Sequence, residues 1–201
     1  MESFKLAVEV RENVGKAASK VVRHSDAIPC VMYGGGESIH FTTTWADVRH
    51  LVFTPDFKTV EVTIGGATHK AIVKNVQFHP VNEKILHMDF LKLVPGTPIK
   101  VILPLRLRGT SPGVKLGGKL LQSIRKISVK CTPETLVDQL TLDISNLDLG
   151  QSARVRDIDA VEGIEVSMSP AIPVVLIEIP RAMRAAAAAE AKATAGPKKK
   201  K

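Results

Sequence analysis

Cysteine is scarce in this chain, with only Cys30 and Cys131, far apart in sequence. Neither belongs to a CxxC or paired Cys/His spacing, which argues against a zinc site and against a disulfide framework. Each lies in an apolar run, PCVMY or SVKCT, and reads as a buried free thiol in a reducing compartment. Long hydrophobic runs are missing as well. No stretch approaches the roughly 18 apolar residues of a membrane-spanning helix. MESFKLAVEVRE lacks the charged-then-apolar pattern of a secretion signal, so the expected location is the cytoplasm, with no membrane partner. Charge of one sign is also lacking where the chain folds. The total is +8, but residues 1–95 hold 11 Lys+Arg against 10 Asp+Glu, residues 96–180 hold 10 against 9, and residues 181–201 hold 7 against 1. A basic total is therefore weak evidence for an anion-binding surface, and only local clustering can carry that argument.

Such a cluster is present between Gly15 and Tyr33, GKAASKVVRHSDAIPCVMY. Read as a helix starting near Val14, the segment aligns Lys16, Ser19, Lys20 and Arg23 at i, i+3, i+4 and i+7, one face of a 3.6-residue period. Val14, Ala17, Ala18, Val21 and Val22 fall on the opposite face, which is expected to lie on a core. Cations on an outer helix face are ordinarily just solvated. What favours a binding ridge is its neighbour: Tyr33, at the lip of Gly34, Gly35 and Gly36, suits a surface that grips phosphates with one element and touches sugar or base with the next.

At 201 residues and 44% hydrophobic, the chain can bury one good core or two small ones. Phe4 to Val10 alternates as a half-buried strand does, Ile28 to Met32 and Ile39 to Thr43 follow as strands, and Thr44 caps a short helix over Trp45 to Val52. Lys58 to Ile64 turns through Gly65-Gly66 into Thr68 to Val76. In VQFHPVNEKILHMDFLKL, Phe78-His79-Pro80 forces a bend, and a strand beyond it places His87 and Asp89 on one face with Met88 and Phe90 in the core. The class is mainly β: an N-terminal six-stranded barrel with two short helices, since closure removes sheet edges. Val94-Pro95-Gly96-Thr97-Pro98 denies continued helix or central strand and marks the domain join. The expected division is a barrel domain over 1–94, a second mainly β domain over 95–180, and a frayed, Ala/Lys-rich basic tail over 181–201. In the second domain Ile99 to Arg108, Leu120 to Cys131, Gln139 to Ile144 and Ile172 to Ile179 read as strands, GTSPGVKLGGK as a glycine-rich loop.

Neither GGGES nor GVKLGGKL has the GxxxxGK[ST] spacing of a phosphate loop, so no nucleotide cofactor is expected, and no metal or small-molecule substrate. His79, His87 and Asp89 could converge near the barrel rim. A His/Asp pair two apart on a strand can orient a general base, but no Ser or Cys in a nucleophile context accompanies it. Hydrogen bonding of Gln77, His79, His87 and Asp89 to base edges or 2′-hydroxyls explains the same cluster with fewer missing parts. An RNA-directed enzyme using His79 or His87 is one competing reading.

EVRENVGKAASKVVR, then IPCVMYGG, then VQFHPVNEKILHMDF together resemble the signature set of the bacterial large-subunit ribosomal protein twenty-five family, also called general stress protein Ctc. RGTSPGVKLGGKL and DISNLDLGQSARVRDI resemble motifs of its long, two-domain form. The resemblance covers about residues 1–180 and implies a 5S rRNA-binding protein without catalysis, with a stress-linked binding factor acting mainly off the ribosome as a second competing reading. Its barrel would sit on the loop E region from the minor-groove side, beside neighbouring large-subunit ribosomal proteins. By motif match, Arg11, Lys16, Ser19, Lys20 and Arg23 would contact phosphate and sugar, and Tyr33, Gln77, His79, His87 and Asp89 would meet RNA from the barrel. The chain departs from the family pattern at Val21, where a second basic residue is usual, and at Phe78, where Arg is frequent.

Overall fold

The N-terminal alternation becomes two strands separated by Val8: β1 (Ser3–Ala7) and β2 (Glu9–Val10). A computed structural model describes residues 3–159, 161–181 and 183, so the proposed tail lies almost wholly outside the described residues. After α1 (Lys16–His24) come β3 (Ala27–Tyr33), β4 (Ile39–Thr44), α2 (Trp45–Val52), β5 (Thr59–Ile64), β6 (Ala67–Phe78) and β7 (Ile85–Lys92). They form one seven-stranded sheet in the order β1-β5-β6-β7-β3-β4-β2. β1 pairs in parallel with β5 and β2 pairs antiparallel with β4, so the two sheet edges belong to one short run of chain. The sheet therefore closes on itself, and counting Ser3 to Val10 as one bent strand gives the six strands read from sequence.

Inside the closed sheet, Leu6, Cys30, Met32, Phe41, Val60, Val62, Met88 and Phe90 are all buried. Phe41 and Phe90 are fully buried and tilt against each other with centroids 5.4 Å apart, a favourable aromatic geometry at the centre of the barrel. The Gly65-Gly66 turn joins β5 to β6 with Ile64 opposite Ala67, and both glycines have positive φ, 54° and 89°, as such tight turns require. α2 begins where Thr44 predicts, though the cap is of another kind. The Thr44 hydroxyl donates to Asp47 Oδ2 at 2.5 Å and accepts no backbone N–H.

The remaining elements are β8 (Ile99–Arg108), α3 (Pro112–Lys115), β9 (Lys119–Gln122), β10 (Lys126–Cys131), β11 (Leu140–Asp143), β12 (Ser152–Arg154), a 3-10 turn over Val155–Asp157, β13 (Ile164–Val166) and β14 (Pro173–Glu178). Two expectations change here. The glycine-rich loop contains the short helix α3, because the buried Ser111 hydroxyl accepts from the Val114 N–H while donating to the Leu147 carbonyl. The strand expected over Leu120 to Cys131 is broken at Ser123 and Ile124, whose N–H groups both turn to the Val174 carbonyl. The apolar run near Ile172 becomes the central strand β14 of a three-stranded antiparallel sheet, β12-β14-β9, with Val174, Val175 and Ile177 fully buried.

The chain divides into two compact units, the first comprising the described residues of Met1–Pro104, Ser128–Gln139 and Glu162–Val166, the second those of Leu105–Ile127, Leu140–Val161 and Ser167–Lys201. In the first, β10 pairs antiparallel with β13; in the second, β11 runs parallel to the end of β8, Leu140 opposite Leu105. Val94 to Thr97 forms a turn closed by the Thr97 N–H on the Val94 carbonyl. Among the described residues no helix is long and apolar enough to cross a membrane.

Removing the ring at the barrel centre, Phe90→Ala, should cost about 3–5 kcal/mol in chemical denaturation, the usual toll of an aromatic-sized void. A cost under about 1 kcal/mol would show that the barrel interior is not packed as described.

Candidate nucleic-acid interface

α1 is fixed to the barrel at both ends by arginine. From below its N-terminal half, Arg11 Nη1 donates to Ser19 Oγ at 3.2 Å, and at the other end Arg23 Nε donates to the Leu86 carbonyl at 3.0 Å. Gly15 precedes the helix with φ of 108°, a backbone state that a side chain would strain. These tethers set the roll of the helix and change the expected apolar face. Ala18, Ser19 and Val22 are half-buried against the barrel, where α1 lies nearest β3, while Val14 and Val21 stay 57% and 68% exposed and Ala17 is exposed beside them. Only part of the expected apolar face, Ala18 and Val22, meets the barrel, because a nine-residue helix held through Ser19 and Arg23 turns that side inward.

Lys16, Lys20 and Arg23 therefore stand on the outer side, next to Val21 and His24. Among the described residues no hydrogen bond or ion pair holds Lys16 or Lys20. Arg11 and Ser19, expected as outward contacts, hold each other, and both are half-buried beneath that row.

The polar rim is built by register. β6 and β7 pair antiparallel with Asn75 opposite Asp89 and Gln77 opposite His87, and β7 pairs parallel to β3 with Asp89 opposite Val31 and Leu91 opposite Tyr33. Side chains alternate across a strand, so Met88 and Phe90 enter the core while His87 and Asp89 share the outer face with Gln77, Asn75 and Tyr33. His87 Nδ1 lies 2.8 Å from Asp89 Oδ1. That contact leaves the ring Nε2 of His87 as the group that can meet a ligand. His79 takes a different part: its Nδ1 accepts from the N–H groups of Val81 (3.2 Å) and Asn82 (3.4 Å), and its own N–H donates to the Lys84 carbonyl. His79 thus shapes the bend between β6 and β7.

Cys30 and Tyr33 lie on β3, next to the strand that carries the rim. Burial pushes the Cys30 thiol up to about 12, with the Arg11 charge opposing the shift and the Asp89 charge adding to it. Burial, helped by Asp89, also raises the Tyr33 phenol. The second cysteine, Cys131, is likewise buried and unpaired. Among the described residues no group of three or more His, Cys, Asp or Glu is arranged to hold a metal ion.

Sequence reasoning missed one feature. Trp45, Phe53 and Phe78 form a chain of rings with centroids 6.4 and 6.2 Å apart, and the Arg49 guanidinium lies 6.0 Å from the Trp45 ring. All three rings are about half exposed. Trp45 and Phe53 bracket α2 while Phe78 ends β6, so no local period betrays the row. The one available signal is Phe78, an aromatic in a motif where the resembled family often has Arg.

Residues 6–90 match the Ribosomal L25p family, and residues 98–181 match the C-terminal domain of ribosomal protein TL5. The chain is similar to large ribosomal subunit protein bL25 of Amoebophilus asiaticus, 42% identical over 188 residues that cover 94% of this chain and 95% of the relative. It is 41% identical over 175 residues to the bL25 of Bacteroides thetaiotaomicron, covering 87% and 89%. With the bL25 of Porphyromonas gingivalis it is 38% identical over 189 residues, covering 93% and 98%.

A thiol held protonated by burial is a poor nucleophile, so neither cysteine of the native chain should react with iodoacetamide at mildly alkaline pH, whereas both should react in denaturant. Rapid modification of the native chain at Cys30, read by peptide mass, would contradict the placement of β3 in the wall.

Proposed function

Because this chain belongs to the bL25 family of large-subunit ribosomal proteins, in the long form with a TL5-type C-terminal domain, we propose that its barrel and α1 together bind 5S rRNA at the loop E region. As a bL25 protein it is a structural component of the ribosome, in the cytoplasm, and not an enzyme. Lys16, Lys20 and Arg23 contact phosphates of one strand, while Tyr33, Gln77, His87 and Asp89 face sugar and base edges from the minor-groove side. His79 serves this surface by holding the β6–β7 bend, and Arg11 and Ser19 serve it by fixing α1. Residues 1–94 are the RNA-binding domain, and residues 95–180 form a second domain that packs among neighbouring large-subunit proteins.

The observation that carries the reading is the bond from Arg23 to the carbonyl of Leu86. Leu86 is the chain neighbour of His87, so the last cation of the ridge is anchored at the strand that carries the rim. Phosphate-gripping and base-facing groups are then within one groove of each other.

Lys16→Ala with Lys20→Ala should lower affinity for a 5S rRNA transcript and reduce the steepness of its salt dependence by close to two log-log units, since each lost phosphate contact removes about 0.9. Thermal melting of the free protein should not move, because neither lysine holds the fold. Asp89→Ala, measured alongside, should narrow the preference for loop E over random duplex RNA. Unchanged affinity of the double variant across the salt titration would refute the ridge.

A further inference from the structure

Between the C-terminal end of α1 and the start of α2 lies a groove of about 370 Å³. Its floor is Ile28, Ile85 and Leu86, one wall is the Trp45 indole, and its rim carries Arg23 and Lys84. We propose that this groove receives a single unpaired nucleotide of the bound rRNA, with its base laid against Trp45 and its phosphate on the Arg23 and Lys84 side. The inference rests on the RNA-binding reading above and adds to it a second kind of contact, by stacking.

Size, chemistry and position support this occupant. Small-ligand clefts span roughly 300–1,000 Å³, and this one is at the low end, room for one base and not for a helix or a peptide strand. Apolar floor and aromatic wall favour a flat π-system, and base stacking on an aromatic ring tolerates any sequence. The wall does not stop at Trp45. Phe53 and Phe78 continue it as an exposed row of rings, with Arg49 beside Trp45 adding the cation that aromatic faces attract.

The position is set by α1. Lys16, Lys20 and Arg23 run along the helix toward the groove, and Arg23 is both the last cation of the row and part of the rim. A phosphate backbone following the ridge arrives at the groove mouth. Lys84 is held by Asp26 at 2.8 Å, but with side chains 66% and 79% exposed that pair is weak and can exchange for a phosphate. Asp26 is the one acid on the rim, and Lys84 already answers it. The rim therefore carries a net positive charge that favours an anionic occupant, and the flat apolar lining beside Trp45 favours a nucleotide over an acidic side chain.

Trp45 is the chain's single tryptophan, so its emission reports on the groove directly. The test titrates the full chain with a 5S rRNA transcript, following tryptophan emission and acrylamide access for the native chain and the Lys16→Ala/Lys20→Ala variant, and affinity by filter binding for these two and for Trp45→Ala and Trp45→Phe. The expected result is quenched, acrylamide-shielded emission on binding. Trp45→Ala should bind about tenfold more weakly, within the range a lost base stack produces, with an unchanged salt slope, and Trp45→Phe should recover most of the loss. Circular dichroism melting confirms that each variant is folded. If the native chain and Trp45→Ala bind equally while the lysine variant binds less, the groove proposal is wrong and the ridge stands. If the native chain does not bind the transcript, both are wrong. Shielding of Trp45 only in assembled large subunits, with affinity for the free transcript unaffected by Trp45→Ala, would mean that a protein fills the groove, and would overturn the proposal.

Discussion

The interface depends on a single strand register, Cys30 opposite Met88 in the parallel pair of β3 and β7. With that pairing, Met88 and Phe90 go inward and His87 and Asp89 go outward beside Val31 and Tyr33. A slip of one residue would send the polar pair into the core and the aromatic and thioether groups into water. Such a slip would bury the polar His87–Asp89 pair away from water, so the core that stabilises the barrel also fixes the polar face of its outer wall. The same register seats Cys30 in the wall, where its thiol is pushed up to about 12.

Around that register the other parts are held by few bonds. The bent N-terminal run closes the sheet by pairing with β5 and with β4, and its next residue, Arg11, then reaches under α1 to Ser19. Arg23 closes the far end of α1 on Leu86. Two guanidinium groups thus turn a short helix into a rigid ridge whose remaining cations are free of partners among the described residues. Arg suits this work because its planar fork bonds a carbonyl or hydroxyl while its charge stays available nearby.

Much of this was legible in the sequence, for identifiable reasons. Strand periodicity exposes which residues face inward, so the core positions of Met88 and Phe90, the pairing of His87 with Asp89 on one face, the Gly65-Gly66 hairpin and the mainly β class could all be read. The roll of α1 could not, because the row of cations and the row of valines are both helical faces and only the tethers from Arg11 and Arg23 decide which meets the barrel. The helix inside the glycine-rich loop depends on Ser111 and Leu147, far apart in the chain, and the break before β10 depends on a carbonyl of β14. The aromatic row of Trp45, Phe53 and Phe78 joins α2, the residue after it and the end of β6, a juxtaposition that only the closed sheet creates.

The central claim is that ridge and rim address one groove of one RNA. It is tested most directly by tethering an iron chelate at Lys20→Cys in one preparation and at Gln77→Cys in another, with Cys30 and Cys131 buried and unlabelled, and mapping hydroxyl-radical cleavage of bound 5S rRNA. The account predicts cleavage from both tethers within the same few base pairs of the loop E region. Cleavage at separate, non-adjacent stretches would contradict it.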